Sequence, residues 1–346
     1  MPILKKKLTF IDLFAGCGGL SLGLEQAGFF PLYVNEINKD ALETYRINRD
    51  NNFPHLRDKR FFSKDIKDLV SDKSYFDRLF DDMEKEFNRD FRSQSVDLVV
   101  GGPPCQGFSG IGVRRSYSVE KTQLPFNHLY QDMSYFISRI KPRIFLFENV
   151  EGLLRSRWTK DGKKGGIFSD VLKTFQEIPN YSVKYNLVYA KDYGIPQNRP
   201  RILLVGIRDN VDLPNNDNMG AVTEVCLPFT ISEFPDLGVD AVKGGYLPLP
   251  TNNYPDIEVV LSDLVDEKFK YGGKTEFYKT DPLNAWQKKI REDPNSGSVF
   301  MKNDTLTEQE YSKHTERVIK RFKYMIKHKE GRIPDELRTK KFSQRR

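Results

Sequence analysis

Between residues 8 and 208, short apolar runs alternate with amphipathic segments, the order expected of a parallel sheet covered by helices. Leu8–Leu13 reads as a first strand, and Ala15-Gly16-Cys17-Gly18-Gly19 leads from it into a helix that closes at Gly28. Tyr33–Glu36 predicts a short second strand, after which Asn38 caps a helix with Ala41, Leu42 and Tyr45 on one face. Phe61–Ile66 predicts a third strand, and the charged stretch 67–95 has helical character. Val96–Val100 is a continuous apolar strand that stops at Gly101-Gly102-Pro103-Pro104. Leu129, Met133, Phe136, Ile137 and Ile140 then fall at helical spacing. Ile144–Phe147 is a further strand, stopped at Glu148-Asn149-Val150, and Arg201–Ile207 is another. The predicted fold class is α/β and doubly wound, with a less regular C-terminal region.

The character changes after Arg208. Residues 209–256 are rich in Pro, Asn, Asp and Gly and have few periodic apolar runs, so they read as loops or a linker. The expected division is therefore 1–208 as one regular domain and 209–346 as a variable region. A final helix is marked by a capping box at Thr307-Glu308-Gln309-Glu310 and by Gly331 beyond its end. Tyr311, Val318, Phe322, Met325 and Ile326 fall on one side of it, and the lysines and arginines on the other.

Composition narrows the classes. An apolar content of 38% with 30% charged residues over 346 residues suits a soluble globular chain with a sizeable core. No run approaches the roughly 18 uncharged apolar residues of a membrane span. Cys17, Cys105 and Cys226 are far apart and belong to no CxxC or Cys/His cluster, which argues against a disulfide framework and against a metal site. Lys5, Lys6 and Lys7 before Leu8 imitate a signal peptide, but Asp12 cuts the apolar run short of the roughly 7–15 residues a secretory core needs. The expected compartment is the cytoplasm. The net charge of +7 is unevenly spread. Residues 311–346 hold 13 basic and 4 acidic side chains, a net of +9, whereas the preceding 310 residues hold 42 and 44, a net of −2.

Four segments carry chemistry. Asp12-Leu13-Phe14-Ala15-Gly16-Cys17-Gly18-Gly19 joins a strand to a helix, where glycines permit a sharp turn and close approach of a ligand to a helix amino terminus. Glu36, twenty residues after Gly16, stands where a carboxylate can accept bonds from ribose hydroxyls. That spacing favours a nucleoside cofactor over a plain turn, and is open between a dinucleotide and S-adenosylmethionine. Gly101-Gly102-Pro103-Pro104-Cys105-Gln106-Gly107-Phe108-Ser109 follows an apolar strand, so Cys105 faces the crevice at the strand ends as a positioned nucleophile. Glu148 follows four apolar residues, and apolar surroundings raise a carboxyl pKa toward proton donation near neutrality. Gln197-Asn198-Arg199-Pro200-Arg201 offers two arginines able to clamp an anionic or carbonyl-rich substrate beside Glu148.

In this order the four segments resemble motifs I, IV, VI and VIII of the DNA (cytosine-5) methyltransferase family of restriction–modification systems, and Asn35-Glu36 and Asp65-Ile66 look like motifs II and III. The resemblance covers residues 8–208 and implies a Rossmann-like domain using S-adenosylmethionine, with double-stranded DNA as the partner. It implies a cofactor site of Phe14, Gly16, Gly18, Gly19, Glu36, Ile37, Asp65, Ile66 and Pro104. Phe14 lies against the adenine, Glu36 holds the ribose, and Asp65 bonds the adenine amino group. Ile37 stands where many members carry an aromatic residue or Asp. It further implies that Cys105 attacks C6 of a flipped cytosine while Glu148 serves N3, Arg201 holds O2 and orients Glu148, and Arg199 supports the site. Loop 106–127, with Arg114 and Arg115, would close over the DNA.

The motif IX and motif X blocks of that family are not legible in 209–346, although Val259–Leu264 resembles the segment that follows motif VIII. Three readings follow: a truncated chain, one subunit of a split enzyme whose second subunit supplies motifs IX and X, or a divergent carboxyl region in which those blocks are not recognisable. The first two are favoured, with weak cofactor binding and little methylation expected of this chain alone. The basic tail reads as the start of the DNA-facing side. A tRNA cytosine-5 methyltransferase, a degenerate DNA-binding subunit and a dehydrogenase fit less well. Cys105-Gln106-Gly107-Phe108 resembles the DNA branch, and hydride transfer has no use for Cys105 with Glu148.

Overall fold

The computed structural model describes residues 7–104, 128–159, 161–209, 255–269, 272–293, 296–328 and 333–337. These fall into two compact units, one of residues 7–193 with 197–209 and the other of 194–196 with 255–337.

Among its described residues the first unit has seven strands and seven α-helices. In chain order they are β1 (Thr9–Leu13), α1 (Gly19–Gln26), β2 (Phe30–Asn35), α2 (Lys39–Ile47), β3 (Phe62–Ser63), α3 (Ile66–Ser71), α4 (Tyr75–Phe87), α5 (Phe91–Gln94), β4 (Leu98–Gly101), α6 (Leu129–Ile140), β5 (Ile144–Val150), α7 (Gly166–Gln176), β6 (Tyr181–Tyr189) and β7 (Pro200–Arg208). The sheet order is β3-β2-β1-β4-β5-β7-β6. The first five strands run parallel, and β7 is antiparallel to both β5 and β6. The strand order reverses between β1 and β4, so the crevice favoured by ligands in doubly wound sheets lies at their carboxyl ends.

The period of two explains the layering. Ile11 and Leu13 of β1 enter the large core shared with α3, α4, α6 and α7, whereas Phe10 faces a smaller cluster with Leu20 and Leu24 of α1. Val34 of β2 meets Leu42 and Tyr45 of α2 in a third cluster. Helices therefore cover both faces, and each fully buried Phe or Leu contributes roughly 1.5–3 kcal/mol.

Four expectations change. The second strand begins earlier, at Phe30, because Pro31 is accommodated where the β1–β2 register shifts. The third strand shrinks to Phe62–Ser63, since the Asp65 side chain accepts a bond from the Lys67 amide and starts α3 instead. Helix α7 and strand β6 have no counterpart in the sequence reading. Fourthly, the final helix does not begin at the Thr307 box. Glu310–Tyr311 pairs as β9 with β8 (Gly273–Lys274), and α10 is Glu316–His328. None of its residues is buried, and Phe322 and Ile326 are 48% and 77% exposed, so its apolar stripe is not a core face. The linker reading of 209–256 and Gly331 lie outside the described residues, apart from 209, 255 and 256.

The second unit also contains α8 (Ile257–Leu261) and α9 (Ala285–Ile290). Its centre is a buried pair in which the Arg291 Nε and one terminal nitrogen donate to Asp263 Oδ2, at 2.9 and 2.5 Å. The same guanidinium stacks 3.9 Å above the Tyr278 ring. Among the described residues no helix is long and apolar enough to cross a membrane, and no group of three or more His, Cys, Asp or Glu side chains is placed to hold a metal ion.

Candidate active site

The glycine loop leaves the carboxyl end of β1 in a chain of left-handed residues: Phe14 (φ 57°), Gly16 (φ 57°) and Gly18 (φ 88°). Glycine meets that requirement at no steric cost, whereas Phe14 is a bulky exception held by packing against the main core. The loop is fastened by its neighbour strand. Ala15 N donates to Asn35 O (3.0 Å), and Gly16 N donates to Glu36 Oε2 (2.7 Å). Glu36 Oε1 accepts from Asn38 N at 2.7 Å, and the side chain is almost wholly buried. Beside this buried carboxylate, the apolar side chain of Ile37 is 59% exposed. Gly18 is the N-cap of α1 and Gly19 its first residue. Asp65 caps α3, and Ile66, its first residue, is buried in the core.

Beneath the loop lies a group of side chains that the sequence reading gave no role. Asp12, buried in β1, accepts from Ser21 Oγ (2.5 Å), which also meets the Tyr45 hydroxyl at 2.9 Å. Burial pushes the Asp12 carboxyl up to about 7, against the opposing pull of the Ser21 hydrogen bond and the Arg49 charge. A carboxylate inside an otherwise apolar strand, Phe10-Ile11-Asp12-Leu13, was the available signal.

The second loop leaves β4, next to β1. Leu13 and Gly101 are paired across the two strands, so the glycine loop and the Gly102-Pro103-Pro104 segment start side by side. A Cβ on Gly101 would meet Leu13 O and Met133 Sδ, each at 3.0 Å. On the other side, Gly101 pairs with Phe147, which brings Gly102 beside Glu148; a Cβ there would lie 2.9 Å from Glu148 Oε2. Pro103 is buried and Pro104 exposed. Asn149 Nδ2 donates to Pro103 O at 3.2 Å, and its Oδ1 accepts from Val150 N at 2.8 Å. Cys105 and loop 106–127, with Arg114 and Arg115, lie outside the described residues.

Glu148 and Arg201 meet because of the β5–β7 register. Arg201 pairs with Val150, which shares a strand face with Glu148, so the two form a diagonal cross-strand pair. Arg201 Nε lies 2.5 Å from Glu148 Oε1, and one of its terminal nitrogens donates to Pro200 O at 2.7 Å. Burial raises the Glu148 carboxyl above its usual range, and the charges of Arg201 and then Arg199 pull it back only in part. Arg199 itself is exposed. A carboxyl raised by burial yet oriented by a guanidinium can both donate a proton and stabilise the form that has lost it. The structure therefore brings Phe14, Gly16, Glu36 and Ile37 together on one side of the strand ends, and Gly102, Pro104, Glu148 and Arg201 on the other.

Relatives share this chain's sequence over three fifths of its length or more. The Type II methyltransferase M1.HphI of Haemophilus parahaemolyticus is 33% identical over 207 residues, covering 60% of this chain and 47% of the relative. M.FnuDI of Fusobacterium nucleatum is 31% identical over 226 residues, 65% of this chain and 52% of its own. M.DdeI of Desulfomicrobium norvegicum is 28% identical over 316 residues, 91% of this chain and 60% of its own. The chain thus spans about half to three fifths of the length of these curated relatives. None of the comparisons supports a second subunit. The model for C-5 cytosine-specific DNA methylases matches residues 8–346, and so runs on through the region where motifs IX and X are not legible. By that match the chain belongs to the C-5 cytosine-specific DNA methylase family.

Proposed function

We propose that this chain transfers the methyl group of S-adenosylmethionine to C5 of a cytosine flipped out of a specific duplex DNA site, protecting that DNA from a cognate restriction endonuclease. The observation that carries the reading is the Glu148–Arg201 pair, set against Gly102, with β4 alone between β5 and the strand that carries the glycine loop.

The residues at the β1 and β2 ends fit the cofactor's adenosyl part. Each Glu36 oxygen accepts one backbone N–H and keeps a lone pair for ribose hydroxyls, while Phe14 and the exposed Ile37 give apolar surface for a base. Asp65 extends that side, with Ile66 buried behind it, and Pro104 would line the pocket from the β4 end. When bound, the cofactor supplies an electrophilic sulfonium methyl group.

Cytosine C5 is too weak a nucleophile by itself. The Cys105 thiolate forms a bond to C6, and Glu148 delivers its proton to N3, so that the ring's electron pair becomes available at C5. Arg201 holds the cytosine O2 and keeps the Glu148 carboxyl aimed, with Arg199 adding positive potential. After C5 has taken the methyl group, a base removes the C5 proton, the S–C6 bond breaks to return the thiolate, and N3 gives its proton back to Glu148. Inside the helical stack neither C6 nor N3 can be reached, which is why the base must leave it.

The test is mass-spectrometric analysis of nucleosides from unmethylated plasmid DNA incubated with the chain and labelled cofactor. The reading expects label in 5-methylcytosine, absent with Cys105→Ala. Label in N4-methylcytosine or N6-methyladenine, or none with wild type, overturns it.

A further inference from the structure

The glycine loop is held from two directions. Glu36 fixes its beginning through the Gly16 amide, and Arg49, just past the end of α2, fixes its far end. Arg49 is only 4% exposed, and each of its three guanidinium nitrogens makes a hydrogen bond. Nε donates to Glu25 Oε1 (2.6 Å), and the terminal nitrogens donate to Tyr45 O (3.1 Å) and Gly18 O (3.0 Å). The guanidinium carbon sits 3.9 Å from the centre of the Tyr45 ring. A Cβ on Gly18 would fall 2.6 Å from one Arg49 terminal nitrogen and 2.6 Å from Tyr45 Cδ2. The glycine is thus required twice, by its φ of 88° and by the guanidinium packed beneath it.

We infer that Arg49 is a positioning residue for the cofactor, acting through Gly18 to hold the glycine loop in its receptive shape. This rests on the proposed reading of the loop as the S-adenosylmethionine site. Burying a guanidinium is costly unless it is paired and hydrogen-bonded, and here each of its three nitrogens donates once, to a carboxylate or to one of two backbone carbonyls. One of those carbonyls belongs to the N-cap of α1, where a small displacement tilts the helix amino terminus and the three left-handed residues before it. Lysine can reproduce the charge but not the fork that grips Glu25 and Gly18 together.

The experiment is equilibrium dialysis with radiolabelled S-adenosylmethionine on wild type, Arg49→Met, Arg49→Lys and the remote core variant Val171→Ala, each also followed by thermal melting and by anisotropy on a DNA duplex. Loss of one charge-assisted bond should raise the cofactor Kd about tenfold or more in Arg49→Met, with Arg49→Lys between it and wild type. Duplex affinity should stay within about twofold, and Val171→Ala should lower the melting temperature while leaving the cofactor Kd within about twofold. If Arg49→Met is not recovered folded, Arg49→Lys decides by the same criterion. The inference is overturned if the Arg49 variants keep wild-type cofactor affinity, or if Val171→Ala loses cofactor affinity in the same proportion to its lost stability. Failure of wild type to bind S-adenosylmethionine would instead overturn the reading of the loop.

Discussion

Glu148 Oε2 lies 2.9 Å from the point where a Cβ on Gly102 would stand, so the carboxylate occupies the space that the glycine leaves. Gly102→Ala should therefore push a flexible carboxylate aside rather than break the core. The expected outcome is a melting temperature close to wild type, with methyl transfer down by about 100-fold, the scale of a misplacement of about 1 Å at a reacting centre. Steady-state rates beside a thermal melt check it; full activity would mean that Glu148 need not stand where it does.

Glu148→Gln keeps the shape and removes the proton. Its methyl-transfer rate should fall by roughly 10²–10⁴-fold. The wild-type rate should fall on the alkaline side as the raised Glu148 carboxyl loses its proton. A pH–rate profile that keeps its alkaline limb in Glu148→Gln would assign that limb to another group.

Asn149 ties Pro103 to the strand that carries Glu148, and so links the approach to Cys105 with the acid. Asn149→Ala should cost about 1 kcal/mol of stability for the lost bond. Covalent capture of a fluorinated substrate should slow markedly while cofactor affinity stays unchanged, as rapid-quench gels and dialysis can measure.

Asp12 makes stability depend on pH in an unusual direction for a carboxyl. The folded chain holds its proton up to about 7, whereas the unfolded chain releases it near 3.8. Folding therefore takes up a proton between those values, and the stability contributed by the neutral form is lost as pH rises across that window, by up to about 1.4 kcal/mol per pH unit. Asp12→Asn stays neutral throughout. Urea unfolding between pH 4.5 and 8 should show wild type losing ground to the variant as pH rises; parallel curves would contradict the assignment.

Much of this was legible in the chain because a doubly wound sheet writes its strands as short apolar runs and its ligand loops as glycine and proline clusters at their ends. β1, β4, β5 and β7 fall near their expected places for that reason. Asn38, with its side chain accepting from two backbone amides, caps α2 as expected. β6 was missed because Tyr181–Tyr189 mixes Ser, Lys and Asn with its apolar residues and is only partly buried. The Thr307 box misled because local capping chemistry says nothing about Gly273–Lys274, whose pairing claims Glu310–Tyr311 as a strand. At the candidate site, residue types drew attention to Glu36, Glu148 and Arg201, but not to what supports them. The Asn149–Pro103 bond joins residues 46 apart and the Arg49–Gly18 bond residues 31 apart, and no local pattern encodes either.

The most direct test of the account is covalent capture. DNA made with 5-fluorocytosine in place of cytosine offers every sequence context, and its C5 fluorine cannot leave as the proton does. Incubated with the chain and S-adenosylmethionine, it should give a complex that survives denaturing electrophoresis, with the DNA attached to Cys105 by peptide mass spectrometry. The complex should be absent for Cys105→Ala and much slower for Glu148→Gln. No complex with wild type, or one that persists in Cys105→Ala, would contradict the central claim.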